Sequence, residues 1–461
     1  MREPHDGMES RVLATCTLGL GFSYAGFQAG LELNPHAIAC DAGSSDFGPY
    51  YLGSGQIQKS RRSVKRDLEL LICGARRIGV PFLTGSAGGA GGNAHLDGTA
   101  EIAREIARER GLHFRLAKIK AEISREWLRS AVSDGRVQPV EGGEELRAEA
   151  IDRLASAVAM MGVEPYQSAL ERGADVILAG RSTDPSIFAS VPLRMGVPPG
   201  PAWHAAKSID KGYLATTRPQ DGSPVLARIR GDHFVLEPTR ANTRCTVASV
   251  ASLTLHENPD PFRVAQPTGS IDTEQAVYEQ LDERSVRVSG SRFIAAQKPS
   301  LKVEGAELVG YRTLLIAGIR DPRLLVRLDE FLEAYRGALG RAAKSLDISE
   351  ADYAIQFRVY GRDGVMGKLE PLAGNCGHEI GLIVDCVGRT EEISGALGSR
   401  LGPTGSRLDI TGKLGGGGNF AYPFSPSLIK TGAVYRWSVW HVVEVGPSEI
   451  TDLFPVSMED L

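Results

Sequence analysis

The chain has 461 residues, of which 42% are hydrophobic and 23% are charged, and its net charge is −4. This composition excludes an intrinsically disordered or fibrous chain, allows two or three domains, and argues against nucleic acid or an anionic membrane as a general partner. Glycine is in excess: its 54 residues make up about 12% of the chain against a usual ~7%. The excess indicates many tight bends or close backbone approaches.

The first half of the chain alternates short apolar runs with helical patterns. A helix is predicted over 64–78, because apolar residues recur there at helical spacing, and a charged surface helix over 99–110, which Gly111 ends. A βαβα order predicts a parallel sheet covered on both faces. The predicted strands are 11–16, 36–40, 80–83, 113–119 and 175–179.

The pattern changes after about residue 200, where strands become more frequent. Helices are predicted near 323–339 and 391–401, and strands over 225–230, 233–236, 286–288, 302–319, 353–360, 379–387 and 432–445. We therefore expect an α/β fold with two domains. Residues 1–205 would form a doubly wound, mostly parallel sheet domain, and residues 206–461 a smaller α+β domain with a mobile loop at the tetraglycine run 415–418.

Four predicted strands of the first domain lead directly into polar, glycine-bearing loops, at 17–23, 41–46, 84–89 and 180–184. Because parallel strands end at one edge of a sheet, these loops predict a ligand crevice there. The alternative is that short loops before helices favour glycine and capping residues in any case. The residues predicted to bind substrate in this region are Gly21, Ser23, Ser86, Gly88, Gly89, Asn93, Arg181, Ser182 and Thr183.

Three aspartates in these loops are candidates for proton transfer. Asp41 and Asp46 flank Ser44 in one loop, and Asp184 follows the segment Gly-Arg-Ser-Thr in another. Arg181 offers a guanidinium fork suited to a substrate carboxylate. Each aspartate could equally cap a helix or form an Asx turn.

Polar clusters also occur in the second half of the chain. His256 and Glu257 are adjacent and are catalytic candidates, Cys376 lies two residues before His378, and Asn419 follows the tetraglycine run and is predicted to bind substrate. No HExxH, GxGxxG or GK[ST] pattern is present. We therefore predict no metal site and no cofactor beyond a CoA moiety carried by the substrate, and leave a divalent metal open.

The six cysteines form no CxxC pair, no run of eighteen apolar residues occurs, and the polar first residues lack the apolar core of a signal peptide. These features predict reduced thiols and a cytoplasmic protein.

Several segments resemble one known family. They include GADVILAGRSTDPSIF at 173–188, SAGG at 86–89, ANTRCTVASV at 241–250, LHENPDPF at 255–262 and KVEGAELVGYR at 302–312. Together they resemble the acyclic terpene utilisation AtuA-like family, long catalogued as a domain of unknown function. The resemblance implies a place in carboxylic-acid or acyl-CoA breakdown, and a small companion protein. The segment CDAGSSDFGPYYLGSG at 40–55 departs from the family pattern.

Three hypotheses follow. The first is a catabolic lyase or hydratase acting on a small carboxylic acid or its CoA ester, with aspartates as acid/base groups and Arg181 with backbone amides as the anion clamp. The second is a hydrolase or ligase with Ser44, Ser86 or Cys376 as nucleophile. The third is a non-catalytic subunit that needs the companion protein. We also expect a homo-oligomer.

Overall fold

The structure is a computed structural model that describes residues 9–140, 142–256, 258–408, 410 and 419–461. The helices are α1 Tyr24–Glu32, α2 Tyr50–Ser54, α3 Arg61–Ile78, α4 Asn93–Arg110, α5 Arg125–Ser133, α6 Ala148–Asp152, α7 Glu164–Glu171, α8 Asp184–Arg194, α9 Pro199–Ile209, α10 Val247–Leu255, α11 Pro322–Val326, α12 Leu328–Ser345, α13 Glu391–Arg407 and α14 Pro447–Leu453. The strands are β1 Ser10–Ala14, β2 Ala37–Asp41, β3 Phe82–Gly85, β4 Arg115–Ile119, β5 Val137–Pro139, β6 Leu154–Ala159, β7 Val176–Ala179, β8 Val225–Ile229, β9 His233–Pro238, β10 Arg263–Gln266, β11 Gly269–Asp272, β12 Val277–Gln280, β13 Val286–Ser289, β14 Arg292–Ala295, β15 Ser300–Ile319, β16 Tyr353–Tyr360, β17 Ile380–Gly388, β18 Leu428–Glu444 and β19 Val456–Asp460.

A ten-stranded mixed sheet forms the centre of the first compact unit. Its strand order is β12-β13-β9-β8-β1-β2-β3-β7-β4-β19. The five strands from β1 to β4 in this order are mutually parallel, and antiparallel strands extend the sheet on both sides. The predicted α/β fold with a parallel sheet is therefore confirmed, within a larger mixed sheet.

Both faces of the parallel strands are covered by apolar side chains. In β1, Val12 belongs to one buried cluster and the next residue, Leu13, to another. Since successive side chains of a strand point to opposite faces, helices must cover both sides of the sheet. Helix α3 illustrates how: its N-cap Ser60 accepts a hydrogen bond from the Ser63 amide, and its apolar stripe, which includes Leu68, is buried against the sheet.

The first unit comprises Met1–Glu307 and Trp437–Leu461. The boundary expected after residue 205 lies inside α9 and therefore inside this unit. Strands β8, β9, β12 and β13 continue the sheet that the N-terminal residues begin, and β19 returns from the end of the chain to pair with β4. Strands β10, β11 and β14 form a separate small sheet, and the first residues of β15 pair with β6.

The second unit comprises Leu308–Arg436. Here the later residues of β15 pair with β17, which pairs with β16. Apolar residues of α12 and α13, among them Phe331, Tyr335 and Leu397, share a core with Leu382 of β17. The single helix expected over 323–339 is interrupted at Arg327, which separates α11 from α12. The tetraglycine run expected to be mobile lies outside the described residues.

Along the part of the chain that the structure describes, no helix combines the length and apolarity needed to cross a bilayer.

Candidate functional site

The ends of the parallel strands place the predicted loops side by side, as expected. Asp41 ends β2 directly beside Gly85 at the end of β3, and β7 leads through Gly180 into α8. Two glycines make the contact between loops close. A Cβ atom at Gly43 would lie 2.7 Å from Gly89 Cα, and one at Gly91 would lie 2.3 Å from the Arg181 amide nitrogen. Part of the glycine excess is therefore required for backbone segments to approach one another, in addition to any ligand contact.

Three aspartates converge at this edge and form what we call the carboxylate cluster: Asp41, Asp184 and Asp210. One carboxylate oxygen from each lies within 4.8 Å of the others. Asp41 and Asp210 are each only 2% exposed, whereas the side chain of Asp184 is 20% exposed. All three members lie at element boundaries, since Asp41 ends β2, Asp184 begins α8 and Asp210 follows the last residue of α9.

Burial makes the charged forms of the two deepest members costly. Desolvation, followed by the charges of Asp184 and Asp210, raises the pKa of Asp41 well above its ordinary value. Desolvation and Asp184 also raise the pKa of Asp210, to about 7. The Oδ1 atoms of Asp41 and Asp210 are buried and have no hydrogen-bond partner among the described residues. The cluster thus has acceptor atoms for which the described chain supplies no donor.

One lysine contacts the carboxylate cluster directly. The ammonium of Lys211 lies 3.5 Å from Asp184 Oδ2 and 3.2 Å from Asp210 Oδ2. Two further lysines donate to backbone carbonyls nearby: Lys59 to Ala42 O at 3.5 Å, and Lys207 to His256 O at 3.0 Å. The charges of these lysines act on the cluster, Lys59 with Asp41 and Lys207 with Asp210. Lysine ammonium groups therefore supply positive charge at this edge, together with the Arg181 guanidinium, whose charge also acts on Asp184 and Asp41.

Arg181, the expected anion clamp, is instead held inside the protein. It is 4% exposed and forms an ion pair with the fully buried Glu304, with Nε 2.9 Å from Oε2. Its terminal nitrogens donate to Ser86 Oγ at 3.2 Å and to Ser45 Oγ at 3.1 Å. Arg181 thereby joins the loops after β2, β3 and β7 to β15. Its hydrogen bonds suit a role in holding the loops more directly than a role in binding substrate.

Glu304 is part of a larger charged group. Its carboxylate also forms an ion pair with Lys302, whose Nζ lies 3.0 Å from Glu304 Oε1. The same ammonium lies 3.6 Å from the centre of a Trp440 ring. Although burial opposes ionisation, Arg181 and Lys302 lower the pKa of Glu304 to about 2. The carboxylate therefore stays ionised and paired with two cations.

The other predicted binding residues of this edge make hydrogen bonds within the protein. Ser182 Oγ donates to Gly180 O and contacts Tyr166 Oη at 2.8 Å. Thr183 donates to a Gln266 side chain, and the Asn93 amide to Glu122. In the Ser86–Gly89 turn, Ser86 and both glycines, Gly88 and Gly89, have positive φ. These hydrogen bonds within the protein hold the loops in position.

Four predicted residues of the same loops lie apart from the carboxylate cluster's contacts. The Gly21 amide donates to the carboxylate of Asp67, from α3, at 2.9 Å. Ser23 caps α1 and Ser44 caps a short 3₁₀ turn. Asp46 is exposed within that turn. The hydrogen bonds that Ser23 and Ser44 accept from the Gly26 and Asp46 amides are those of helix-capping residues.

The candidates from the second half of the chain have varied positions. His256 directly follows the last residue of α10, and its carbonyl accepts a hydrogen bond from Lys207. Glu257 lies outside the described residues. Asn419 lies in the second unit and lines a cleft of about 650 Å³ with Arg320 and Glu379. Cys376, considered as a nucleophile, is an exposed thiol in the second unit.

Sequence reasoning missed Asp210, Lys211 and Glu304. Asp210 and Lys211 follow an apolar helix, with no glycine-rich loop to draw attention to them. Glu304 lies in β15 between Val303 and Gly305, but Lys302 and Glu307 are charged neighbours in the same strand, so the residue pattern does not single it out.

Residues 89–193 match the family model described as acyclic terpene utilisation family protein AtuA. This segment is AtuA-like. The match confirms the resemblance over less than a quarter of the chain. It includes Arg181 and Asp184 but neither Asp41 nor Asp210. Searches of curated proteins and of solved structures found no match.

Proposed function

We propose that the protein is an enzyme that adds water to, or removes water from, a small carboxylic acid or its CoA ester. The observation that carries this proposal is the convergence of Asp41, Asp184 and Asp210 with the Lys211 ammonium at the carboxyl edge of the parallel strands. Ligands of open α/β sheets bind at this edge. The AtuA-like segment supports a place in acyclic terpene utilisation, and the resemblance described above implies carboxylic-acid or acyl-CoA breakdown.

The chemistry requires three kinds of group. Loss of water beside a carboxylate needs a group that takes a proton from carbon, a group that gives a proton to the departing hydroxyl, and a cation that holds the substrate anion. The cluster and Lys211 supply the proton-transfer groups. Lys59 and Lys211 replace Arg181 as the proposed anion partners, because the Arg181 guanidinium is buried against Glu304.

Asp184 is the member of the cluster that a substrate would reach first, since its side chain is 20% exposed. Asp41 and Asp210 lie deeper. We therefore place the reacting part of the substrate against Asp184 and Lys211, with the buried aspartates behind them.

The test measures exchange of hydrogen for deuterium next to the carboxylate. Purified protein is incubated in D₂O with a panel of small hydroxy acids, their unsaturated counterparts and the CoA esters of both, and NMR monitors exchange and hydration. Asp184→Asn is expected to lower kcat for the best compound by about 10²–10⁴-fold, because it removes a proton-transfer group.

Asp46→Asn is the matched control, since Asp46 is exposed in a neighbouring loop and should keep wild-type turnover. The proposal fails if the wild-type protein processes none of the panel, or if Asp184→Asn keeps full turnover. The expected companion subunit and homo-oligomer stay predictions. Light scattering of the purified chain, alone and with the companion protein, would measure both.

A further inference from the structure

Among the described residues, the carboxylate cluster has more carboxyl groups than cations in contact with them. Lys211 alone contacts it among the described lysines, through Oδ2 of Asp184 and Oδ2 of Asp210. The ammonium groups of Lys59 and Lys207 donate instead to backbone carbonyls. One contacting cation thus faces three carboxyl groups, which leaves room for a further positive charge.

The second observation concerns two oxygens that no donor reaches. Asp41 Oδ1 and Asp210 Oδ1 are buried and have no hydrogen-bond partner among the described residues. Each of the two aspartates is only 2% exposed. An unpaired buried carboxylate oxygen is costly. Native proteins satisfy such oxygens with hydrogen-bond donors, water or a metal ion.

From these two observations we propose that Asp41, Asp184 and Asp210 bind a hard divalent cation, Mg²⁺ or Mn²⁺, at the carboxyl edge of the sheet. This inference builds on the proposed function, because it concerns the same three carboxylates. Carboxylate oxygens are the ligands that such cations prefer, and the cations usually retain several water molecules. Three protein ligands are therefore sufficient.

The spacing of the oxygens is compatible with this assignment. Around octahedral Mg²⁺, oxygens on opposite sides lie about 4.2 Å apart and adjacent oxygens about 3 Å apart. The three cluster oxygens lie within 4.8 Å of one another. Cation binding would therefore draw the three carboxylates closer together.

A bound cation would change how the site handles charge. A divalent ion bound by the three carboxylates can also attract the carboxylate of a substrate and stabilise the negative charge that develops beside it. Lys211, whose ammonium lies against two of the ligands, would remain available to give a proton to the departing hydroxyl.

The test is Mn²⁺ binding to the full-length protein after treatment with a chelator, followed by electron paramagnetic resonance and by calorimetry. We expect one saturable Mn²⁺ site per chain that Mg²⁺ displaces. Asp41→Asn and Asp210→Asn should each weaken Mn²⁺ binding by about 10–100-fold or more. Asp46→Asn, which changes an exposed aspartate, should bind as the wild type does.

A fourth variant guards against loss of binding through misfolding. Lys211→Met removes an ammonium that lies against two of the carboxylates and repels a bound cation, so it should tighten Mn²⁺ binding, a gain that misfolding does not produce. The inference is overturned if the wild-type protein shows no saturable site. It is also overturned if Asp41→Asn and Asp210→Asn bind Mn²⁺ as the wild type does while circular dichroism shows that both variants are folded.

The two proposals can fail separately. Turnover of a carboxylic acid by protein that binds no Mn²⁺ would support the proposed function and refute the cation. Saturable Mn²⁺ binding with no turnover of any compound in the panel would do the reverse.

Discussion

Arg181 shows how a residue's environment determines what its side chain can do. The sequence places an arginine in a polar loop, where a guanidinium is suited to a substrate carboxylate. In the folded chain the same guanidinium is buried against Glu304 and two serines. A buried ion pair is costly to break, since removal of one partner leaves the other charge unpaired in the interior.

Glu304→Gln is therefore expected to lower the free energy of unfolding by about 3–5 kcal/mol. Urea denaturation of purified protein measures this change. Asp460→Asn, which removes an exposed partner of Arg115, should leave the free energy of unfolding unchanged. Equal effects of the two substitutions would show that the buried pair contributes no more than a surface pair.

His204 permits a prediction of pH dependence. It is fully buried, with its ring nitrogens 2.6 Å from Ser291 Oγ and 2.9 Å from Thr254 Oγ1, and burial lowers its pKa to about 3. The unfolded chain takes up a proton at this histidine below about pH 6.5, and the folded chain does not. The contribution of His204 to stability is therefore present above pH 6.5 and lost as the pH falls toward 3.

In the wild type, this residue should add about 1.4 kcal/mol per pH unit to the loss of stability below pH 6.5. His204→Gln should show a correspondingly shallower dependence when unfolding is measured by urea at several pH values. His113→Gln, at an exposed position, is the control. Identical pH profiles for wild type and His204→Gln would contradict the prediction.

At the scale of elements, the strands and helices agree closely with the apolar patterns. The strand predicted over 353–360 is β16, and the helix predicted over 64–78 is α3 with three more residues at its start. Local periodicity is sufficient to predict these elements, because the spacing of apolar residues indicates which faces of an element are buried. The helix expected over 323–339 was wrong in one respect, the break at Arg327.

The spacing of apolar residues does not predict how the loops pack against one another. Substitutions at two glycines test whether this packing contributes to stability. Gly91 and Gly79 both have a φ of +71°, but a Cβ at Gly91 would meet the Arg181 backbone at 2.3 Å, whereas none of the described atoms lies within 4 Å of a Cβ at Gly79. Gly79→Ala should cost about 1–2 kcal/mol, the left-handed penalty alone. Gly91→Ala should cost clearly more, since backbone must also move.

Thermal and urea unfolding of the two variants measure the difference directly. Equal losses would mean that the loops after β3 and β7 can separate at no cost, and that the close approach is not required for folding.

At the scale of the whole molecule, both ends of the described chain belong to the first unit. Residues 437–461 complete it, and Phe454, only 1% exposed, lies in the same buried cluster as Val12 of β1. The domain boundary near residue 205 was predicted because strands become more frequent after that point. The sequence pattern did not predict that antiparallel strands extend the parallel sheet on both sides.

Phe454→Ala should therefore lower the free energy of unfolding of the first unit by about 3–5 kcal/mol, as expected for a buried phenylalanine. Phe262→Ala, at a position that is 51% exposed, should change it by less than about 0.5 kcal/mol. Urea unfolding followed by circular dichroism compares the two. A small effect of Phe454→Ala would separate the C-terminal residues from this core.

The residue pattern is enough to predict the α/β class, the parallel strands and the edge at which Asp41 and Asp184 meet, because each depends on the spacing of apolar residues and on where a strand ends. Only the tertiary structure brings Asp210 and Lys211 to those aspartates and Glu304 to Arg181. These contacts join residues that are distant in the chain, and no local periodicity records which side chains will be buried together. The same holds for the glycine excess. The sequence shows that many glycines follow strands, and only the structure shows that some of them allow one loop to lie against the next.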